Sequence, residues 1–74
     1  MKCLFYFTLR CLAETEDLGS VYLPDLTAAH DEAQRIAQAF AARMPDEGLD
    51  PTLCVVEVAD ERHLLVQVVP LNGS

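Results

Sequence analysis

The chain has few positively charged side chains. Its 74 residues include 5 Lys and Arg against 12 Asp and Glu, a formal net charge of −7 at pH 7. Such a chain repels the phosphates of nucleic acids and the headgroups of anionic membranes. We therefore expect no direct nucleic-acid binding and no membrane association. An acidic surface instead favours solubility or attracts a basic partner.

The chain also lacks a long apolar run and a pairing pattern among its cysteines. No stretch approaches the ~20 apolar residues of a membrane helix. Near the amino terminus Thr8 and Arg10 interrupt a short apolar run, and no small-residue cleavage site of a secretory signal follows. Three cysteines are an odd number without close spacing, which fits a reducing compartment better than a disulfide scaffold. We therefore expect a cytoplasmic protein with free thiols.

The spacings that carry catalysis or metal binding are missing too. The glycines are isolated, and neither HxxxH nor CxxC occurs, so we expect no phosphate loop and no metal site. His30 and His63 have no orienting partner, and we interpret both as solvated. Cys3, Cys11 and Cys54 fall at inward strand positions, where free thiols act as small hydrophobes. Cys3 and Cys11 are too far apart along one strand to bridge each other, but Cys54 could neighbour one of them across the sheet. We expect no enzyme activity, no catalytic residue and no cofactor; a pocket joining either histidine to a cysteine or carboxylate would favour an enzyme.

Two strands are predicted at the start of the chain. Residues 3–12 alternate in strand fashion, with an apolar face made of Cys3, Phe5, Phe7, Leu9 and Cys11. Residues 13–20 are a polar connection, and SVYL (20–23) is a short second strand. The two pair antiparallel, because so short a connection cannot make a parallel crossover. Pro24 ends the second strand, since it has no amide hydrogen to donate.

The next stretch predicts an amphipathic helix. Asp25 is the expected N-cap, because its carboxylate can accept from the free amides of the first turn. Steps of three and four then produce one apolar stripe, which consists of Leu26, Ala29, Ala33, Ile36, Ala37, Phe40 and Met44. On the polar face, Asp31 and Arg35 have the spacing of an ion pair. Pro45 ends the helix at Met44 or just before it.

Two more strands follow a loop rich in proline and acids. In residues 53–59, Glu57 marks the solvent side, and the inward residues are Cys54, Val56 and Val58. In residues 64–69, Gln67 marks the solvent side, and the inward residues are Leu64, Val66 and Val68. A four-residue hairpin turn, DERH (60–63), joins them. The order β-β-α-β-β predicts one two-layer α+β domain over residues 1–74, a four-stranded antiparallel sheet with one helix on one face.

The sheet face away from the helix is predicted to be unusually apolar. Its residues are Leu4, Tyr6, Thr8, Arg10, Leu53, Val55, Glu57, Leu65, Gln67 and Val69. A solvent-exposed sheet face normally carries polar residues, and a large exposed apolar patch usually marks an interface. The alternative is that β-branched and aromatic residues occur here only because they favour strands. A chain this short buries only about 60% of its unfolded surface, which favours association.

We therefore expect a non-catalytic binding module that forms a homodimer through this face. The predicted partner-binding residues are Leu4, Tyr6, Val55, Glu57, Leu65, Gln67 and Val69.

The acidic residues suggest an alternative function. A small acidic protein can block a basic nucleic-acid-binding surface by presenting carboxylates where phosphates would lie. A phage or mobile-element inhibitor of the anti-CRISPR kind would act in this way on a basic nucleic-acid-binding protein complex. The candidate carboxylates are Glu14, Glu16, Asp17, Asp46, Glu47, Asp50, Asp60 and Glu61. If they do not cluster, they form a solvated rim.

The chain resembles a family of short, uncharacterised proteobacterial domains. That family has an aromatic-rich strand, a core reading roughly Gly-x-x-Leu-Pro-Asp-Leu-x-x-Ala, a helix and two strands. The matching residues are the FYF at 5–7, Gly19, Leu23, Pro24, Asp25, Leu26, Ala28 and Ala29. The resemblance spans most of the chain and implies the same fold and a bacterial cytoplasmic origin, without any activity. Its members commonly have a glycine in the last hairpin turn, where this chain has DERH.

Overall fold

A computed structural model describes residues 1–12 and 14–71. The order of its elements is β1 (Cys3–Arg10), β2 (Thr15–Leu23), α1 (Leu26–Arg43), two short 3₁₀ turns (Met44–Glu47 and Pro51–Leu53), β3 (Val55–Ala59) and β4 (Leu65–Pro70). The strands form a four-stranded sheet and the helix lies against one face of it. The predicted α+β fold is therefore confirmed. The helix is not long and apolar enough to cross a membrane.

The sheet has the strand order β2-β1-β3-β4, and every neighbouring pair is antiparallel. The first strand begins at Cys3, as predicted, and ends at Arg10, two residues before its predicted end. The second strand, β2, begins at Thr15, within the stretch expected to be a connection. Its acidic residues still form a strand because β2 lies at the sheet edge and its side chains are largely exposed. Hydrogen bonds to β1 pair its backbone groups, and no apolar side chains are needed for that. Gly19 has a φ of 95° beside a bulge in this pairing, a conformation that glycine adopts without strain.

The helix begins and ends where the sequence predicts. The carboxylate of Asp25 accepts a hydrogen bond of 2.8 Å from the amide of Ala28, and the helix ends one residue before Met44. Its alanines allow a close approach to the sheet, where it packs mainly over β3 and β4.

The predicted Asp31–Arg35 ion pair is wrong. Arg35 instead bonds Glu32 with two nitrogens, and such a two-pronged contact is stronger than a single one.

One hydrophobic core lies between the helix and the sheet. Its buried members are Phe5, Phe7, Leu9, Ala29, Ala33, Ala37, Met44, Cys54, Val56, Val58, Val69 and Leu71. The inward faces predicted for β1 and β3 are therefore confirmed, apart from Cys3, which is exposed, and Cys11, which is only partly buried. Cys3 is the first residue of β1 and Cys11 follows its last residue.

The predicted orientation of β4 is wrong over most of the strand. Val56 pairs with Val69 and Val58 with Gln67, but Ala59 pairs with Leu65, so a bulge at this point adds one residue to β4. An extra residue reverses the alternation that follows it. Val69 is consequently buried and faces the helix, whereas Val68 is 46% exposed. Leu64, which was also expected to point inward, is exposed as well.

Cys11 and Cys54 form a disulfide bond, contrary to the expectation of free thiols. Arg10 pairs with Val55 at the end of the β1–β3 ladder. Cys11 follows Arg10 and Cys54 precedes Val55, so the two cysteines continue the antiparallel register. Their Cα atoms are 4.1 Å apart. Only the pairing of β1 with β3 makes the two cysteines neighbours, because 43 residues separate them along the chain.

Candidate functional site

The side of the sheet away from the helix has no helix covering it. We call it the open face. Its residues alternate with the buried residues of β1 and β3, and strand pairing extends the set to β2 and β4. The open face consists of Leu4, Tyr6, Thr8 and Arg10 on β1; Thr15, Asp17, Ser20 and Tyr22 on β2; Val55, Glu57 and Ala59 on β3; and Leu65, Val68 and Pro70 on β4.

An apolar patch runs across the open face. The fraction of surface exposed is 63% for Tyr22, 57% for Leu65 and 46% for Val68, and Leu4 and Val55 are half-buried between their neighbours. Side chains directly opposite on paired strands lie about 5 Å apart. Tyr6, Ala59 and Leu65 therefore lie side by side across β1, β3 and β4. Val68 and Pro70 continue the apolar surface along β4 to Val55, around Thr8, Arg10 and Glu57.

One ion pair lies on this face. Nη1 of Arg10 on β1 is 3.2 Å from Oε2 of Glu57 on β3, and the Arg10 side chain is 61% exposed while that of Glu57 is 22% exposed. An exposed pair of this kind contributes little to stability, typically 0–1 kcal/mol. It does balance the charge of Glu57 within the face.

The hairpin between β3 and β4 places an aromatic ring over the patch. Oδ1 of Asp60 accepts hydrogen bonds from the amides of Arg62 (2.8 Å) and Leu64 (3.1 Å), which close the turn. His63 has a φ of 64°, the left-handed conformation that usually favours glycine. Its imidazole stacks on the ring of Tyr6 with 4.4 Å between centroids. His63 is exposed, as predicted, and its ring also lies over the open face.

The structure places only some of the predicted partner-binding residues on the open face. Leu4, Tyr6, Val55, Glu57 and Leu65 lie there. Gln67 and Val69 do not, because the bulge turns both toward the helix. Leu53, expected on the same face, belongs to a 3₁₀ turn before β3.

Sequence reasoning missed the part of this face that β2 contributes, the β3 and β4 residues Ala59, Val68 and Pro70, and His63, which lies over it. Val68 was missed because the alternation of β4 does not reveal a bulge. Ala59, the last residue of the strand predicted over 53–59, was not counted on this face. Tyr22 was missed because only its pairing with Leu4 assigns it to a face. His63 reaches the face from a turn, and no strand pattern indicates such a contact.

His30 lies in a hollow at the first turns of the helix. The hollow is lined by Leu26, Thr27, His30 and Gln67, so it joins the histidine to neither a cysteine nor a carboxylate. Its Nδ1 atom is buried without a hydrogen-bond partner in the described part of the chain, so the side chain is not fully solvated as predicted. Within residues 1–12 and 14–71, no three His, Cys, Asp or Glu residues are grouped so that they could hold a metal ion.

A second concave surface, which we call the end groove, lies where β1 ends and β3 begins. Its volume is about 320 Å³ and its lining consists of Leu9, Cys11, Leu12, Glu14, Glu16, Met44, Leu49, Asp50, Leu53 and Cys54. Three of the candidate acidic residues, Glu14, Glu16 and Asp50, therefore meet here. The carboxylate of Asp50 accepts hydrogen bonds from the hydroxyl (2.7 Å) and amide (3.0 Å) of Thr52. These bonds, the hydroxyl one first, hold the pKa of Asp50 below its ordinary value of 3.8.

The other candidate acids lie elsewhere. Asp17 is on the open face through its pairing with Thr8. Asp46 and Glu47 belong to the 3₁₀ turn after the helix, and Glu47 forms an ion pair of 3.9 Å with Arg43. Asp60 and Glu61 follow β3, whereas Asp50 precedes it. The eight acidic residues therefore do not form one patch.

These features define a small two-layer α+β domain with an open sheet face and a separate acidic groove. The chain belongs to the family described as Domain of unknown function (DUF6894), whose model matches residues 4–72. Comparisons with curated proteins and with solved structures found no match. Three residues separate Gly19 from Leu23 in this chain, whereas the motif Gly-x-x-Leu has two. The predicted Gly-to-Leu spacing is therefore wrong for this chain.

Proposed function

We propose that the protein is a non-catalytic binding module that forms a homodimer through the open face. The observation that carries this proposal is the apolar patch around Tyr6, Val55, Leu65 and Val68. Large apolar patches on otherwise polar surfaces usually mark interfaces. Association would also supply burial that a chain of 74 residues has difficulty obtaining alone.

The size of the open face is compatible with a modest dimer. The strands contain 8, 9, 5 and 6 residues, and each residue covers about 3.3 Å along its strand and 4.8 Å across the sheet. One face therefore has a flat footprint of roughly 440 Å². Two faces in contact would cover roughly 900 Å² before side-chain relief is added, close to the ~1,000 Å² of a specific interface.

The charge of the open face favours a second copy as the occupant. The chain carries a net charge of −7, so two copies repel each other unless they meet at a surface that is nearly neutral. The open face is such a surface, because Arg10 balances Glu57 and Asp17 is the one further acid among its residues. Most of the negative charge would then remain on the outside of the dimer.

Sedimentation analysis over a range of concentrations tests this proposal. We expect a mass that rises toward that of a dimer, and we expect Leu65→Lys and Val68→Lys to remain monomeric because each buries an ammonium group at the interface. Leu26→Lys is the matched control, since Leu26 is 43% exposed but lies on the helix. A wild-type monomer at every concentration, or dimers that persist in both lysine variants, would contradict the proposal.

We also propose a bacterial cytoplasmic origin, on the strength of the family resemblance and the sparse cysteines. The Cys11–Cys54 bond counts against this compartment, because cytoplasmic thiols are normally kept reduced. Alkylation of thiols in intact cells, followed by mass spectrometry, decides the matter. Three alkylated cysteines support the cytoplasm, and one alkylated cysteine supports an oxidising compartment.

The alternative proposal is a phage or mobile-element inhibitor that blocks a basic nucleic-acid-binding protein complex. The gathering of Glu14, Glu16 and Asp50 in the end groove supports it. Competition binding tests it: the protein should displace DNA from such a complex, and added salt should weaken that displacement. Displacement that is insensitive to salt would contradict the electrostatic mechanism.

A further inference from the structure

The end groove combines an apolar floor with apolar walls. Leu9 and Met44 lie at its floor and are buried, and the Cys11–Cys54 disulfide lies beside them. Leu12, Leu49 and Leu53 line it while being 81%, 53% and 49% exposed. Three exposed leucines around one concavity are unfavourable in water unless another apolar group covers them.

The rim of the groove is negatively charged. Glu14, Glu16 and Asp50 line it together, and its lining contains no Lys, Arg or His. The ion pairs formed within residues 1–12 and 14–71 use Glu57, Glu32 and Glu47. The three carboxylates of the rim are therefore not neutralised by a base in the described part of the chain.

Asp50 is held in a position that leaves it able to bind a ligand. Both of its hydrogen bonds from Thr52 end on Oδ1, so Oδ2 is not used by them. The same bonds hold the pKa of this carboxyl below 3.8, and a carboxyl is already ionised at neutral pH at the ordinary value. A fixed, ionised oxygen at the edge of an apolar groove is a good acceptor for an ammonium or guanidinium group.

We propose that the end groove binds a short peptide segment of another protein in which large apolar side chains alternate with Lys or Arg. The apolar floor would accept the apolar side chain and the carboxylates would bind the cations. An anionic ligand such as a nucleotide is excluded by the charge of the rim. A volume of about 320 Å³ is at the lower limit for ligand pockets, which suits one or two side chains and not a large cofactor.

This site is separate from the open face, so its occupant and the second copy of the chain do not compete. The end groove lies between the layers at the end of the sheet, and its lining shares no residue with the open face. The dimer-disrupting variant Leu65→Lys should therefore bind the peptide as the wild type does. The two proposals can then fail independently.

Titration of the isotope-labelled full chain with blocked synthetic peptides, followed by amide chemical shifts, tests the proposal. The probe is Leu-Arg-Leu-Arg-Leu, with Leu-Glu-Leu-Glu-Leu and Ser-Arg-Ser-Arg-Ser as comparison peptides. We expect binding of the first peptide at about millimolar concentration, with shifts at Glu16, Leu49 and Leu53. The glutamate peptide should not bind, and the serine peptide should bind more weakly because it cannot fill the floor.

Charge-neutralising variants separate a specific site from general attraction to an acidic protein. The double variant Glu14→Gln, Glu16→Gln should weaken binding about tenfold through the loss of two cation contacts. The matched control Asp31→Asn, Glu61→Gln removes the same charge elsewhere and should change the affinity less than about twofold. Equal losses in both variants, unchanged binding in the first, shifts confined to the open face, or equal binding of the serine peptide would each overturn the proposal.

Discussion

The imidazole of His63 stacks on the ring of Tyr6, with 4.4 Å between centroids and 25° between planes. The two residues come from different hairpins, and their contact crosses the pairing of β1 with β3. His63 adopts a left-handed backbone conformation to make it, which costs a residue with a side chain roughly 1–2 kcal/mol. Stacking of His63 on Tyr6 is one interaction that offsets the free-energy cost of this backbone conformation.

A double-mutant cycle on Tyr6 and His63 should measure this interaction. Asn tolerates the left-handed conformation, so His63→Asn removes the ring with little change in backbone strain, and Tyr6→Leu removes its partner. We expect the two effects on the free energy of unfolding to be coupled by about 0.5–1.5 kcal/mol. The same cycle with His30→Asn, on the other layer, should show no coupling. Additive effects for Tyr6 and His63 would show that the stack does not contribute.

Loss of the Cys11–Cys54 bond should destabilise the fold. A bond that closes a loop of 43 residues removes chain entropy from the unfolded state worth about 4 kcal/mol. The double variant Cys11→Ser, Cys54→Ser should therefore lower the free energy of unfolding in urea by about that amount under oxidising conditions. Cys3→Ser is the control and should have little effect, because Cys3 is exposed and unbonded. Equal stability of the wild type and the double variant would mean that the bond does not form in solution.

Val69 and Val68 test the corrected orientation of β4. Val69 is 6% exposed and Val68 is 46% exposed, although the two residues are identical and adjacent. Val69→Ala should lower the free energy of unfolding by about 2 kcal/mol through lost burial and a cavity. Val68→Ala should cost less than about 0.5 kcal/mol in the monomer. The reverse ranking would restore the alternation predicted from sequence.

The pH dependence of stability should include a contribution from Asp50. Its pKa in the folded protein is below the ordinary value of 3.8 because Thr52 donates two hydrogen bonds to the carboxylate. The contribution is therefore fully present above the unfolded pKa and is lost as the pH falls below 3.8 and through the lower folded pKa. Thr52→Val removes the hydroxyl bond, so a carboxyl NMR titration should show a higher pKa for Asp50. Thr27→Val, on the helix, should leave that pKa unchanged, and an unaltered titration in Thr52→Val would contradict the assigned cause.

The errors in the sequence predictions have local physical causes. The β4 residues Gln67 and Val69 were assigned to the wrong side because a single bulge reverses a period of two. Arg35 had two acids within reach on its helix face, and spacing does not decide which of them it contacts. The cysteines were taken as free because a separation of 43 residues shows no pairing signal. By contrast, Asp25 and Pro24 act through their immediate neighbours, so their roles could be read directly.

The sequence by itself determined the elements and their order, the helix cap, the apolar stripe of the helix and the buried sides of β1 and β3. These depend on side-chain periodicity and on backbone chemistry within a few residues. Only the tertiary structure decided that β1 pairs with β3, which joins Cys11 to Cys54, stacks His63 on Tyr6 and gathers Glu14, Glu16 and Asp50 around one groove. Those contacts depend on strand order and register between segments distant in the chain, and no local pattern of residues specifies either.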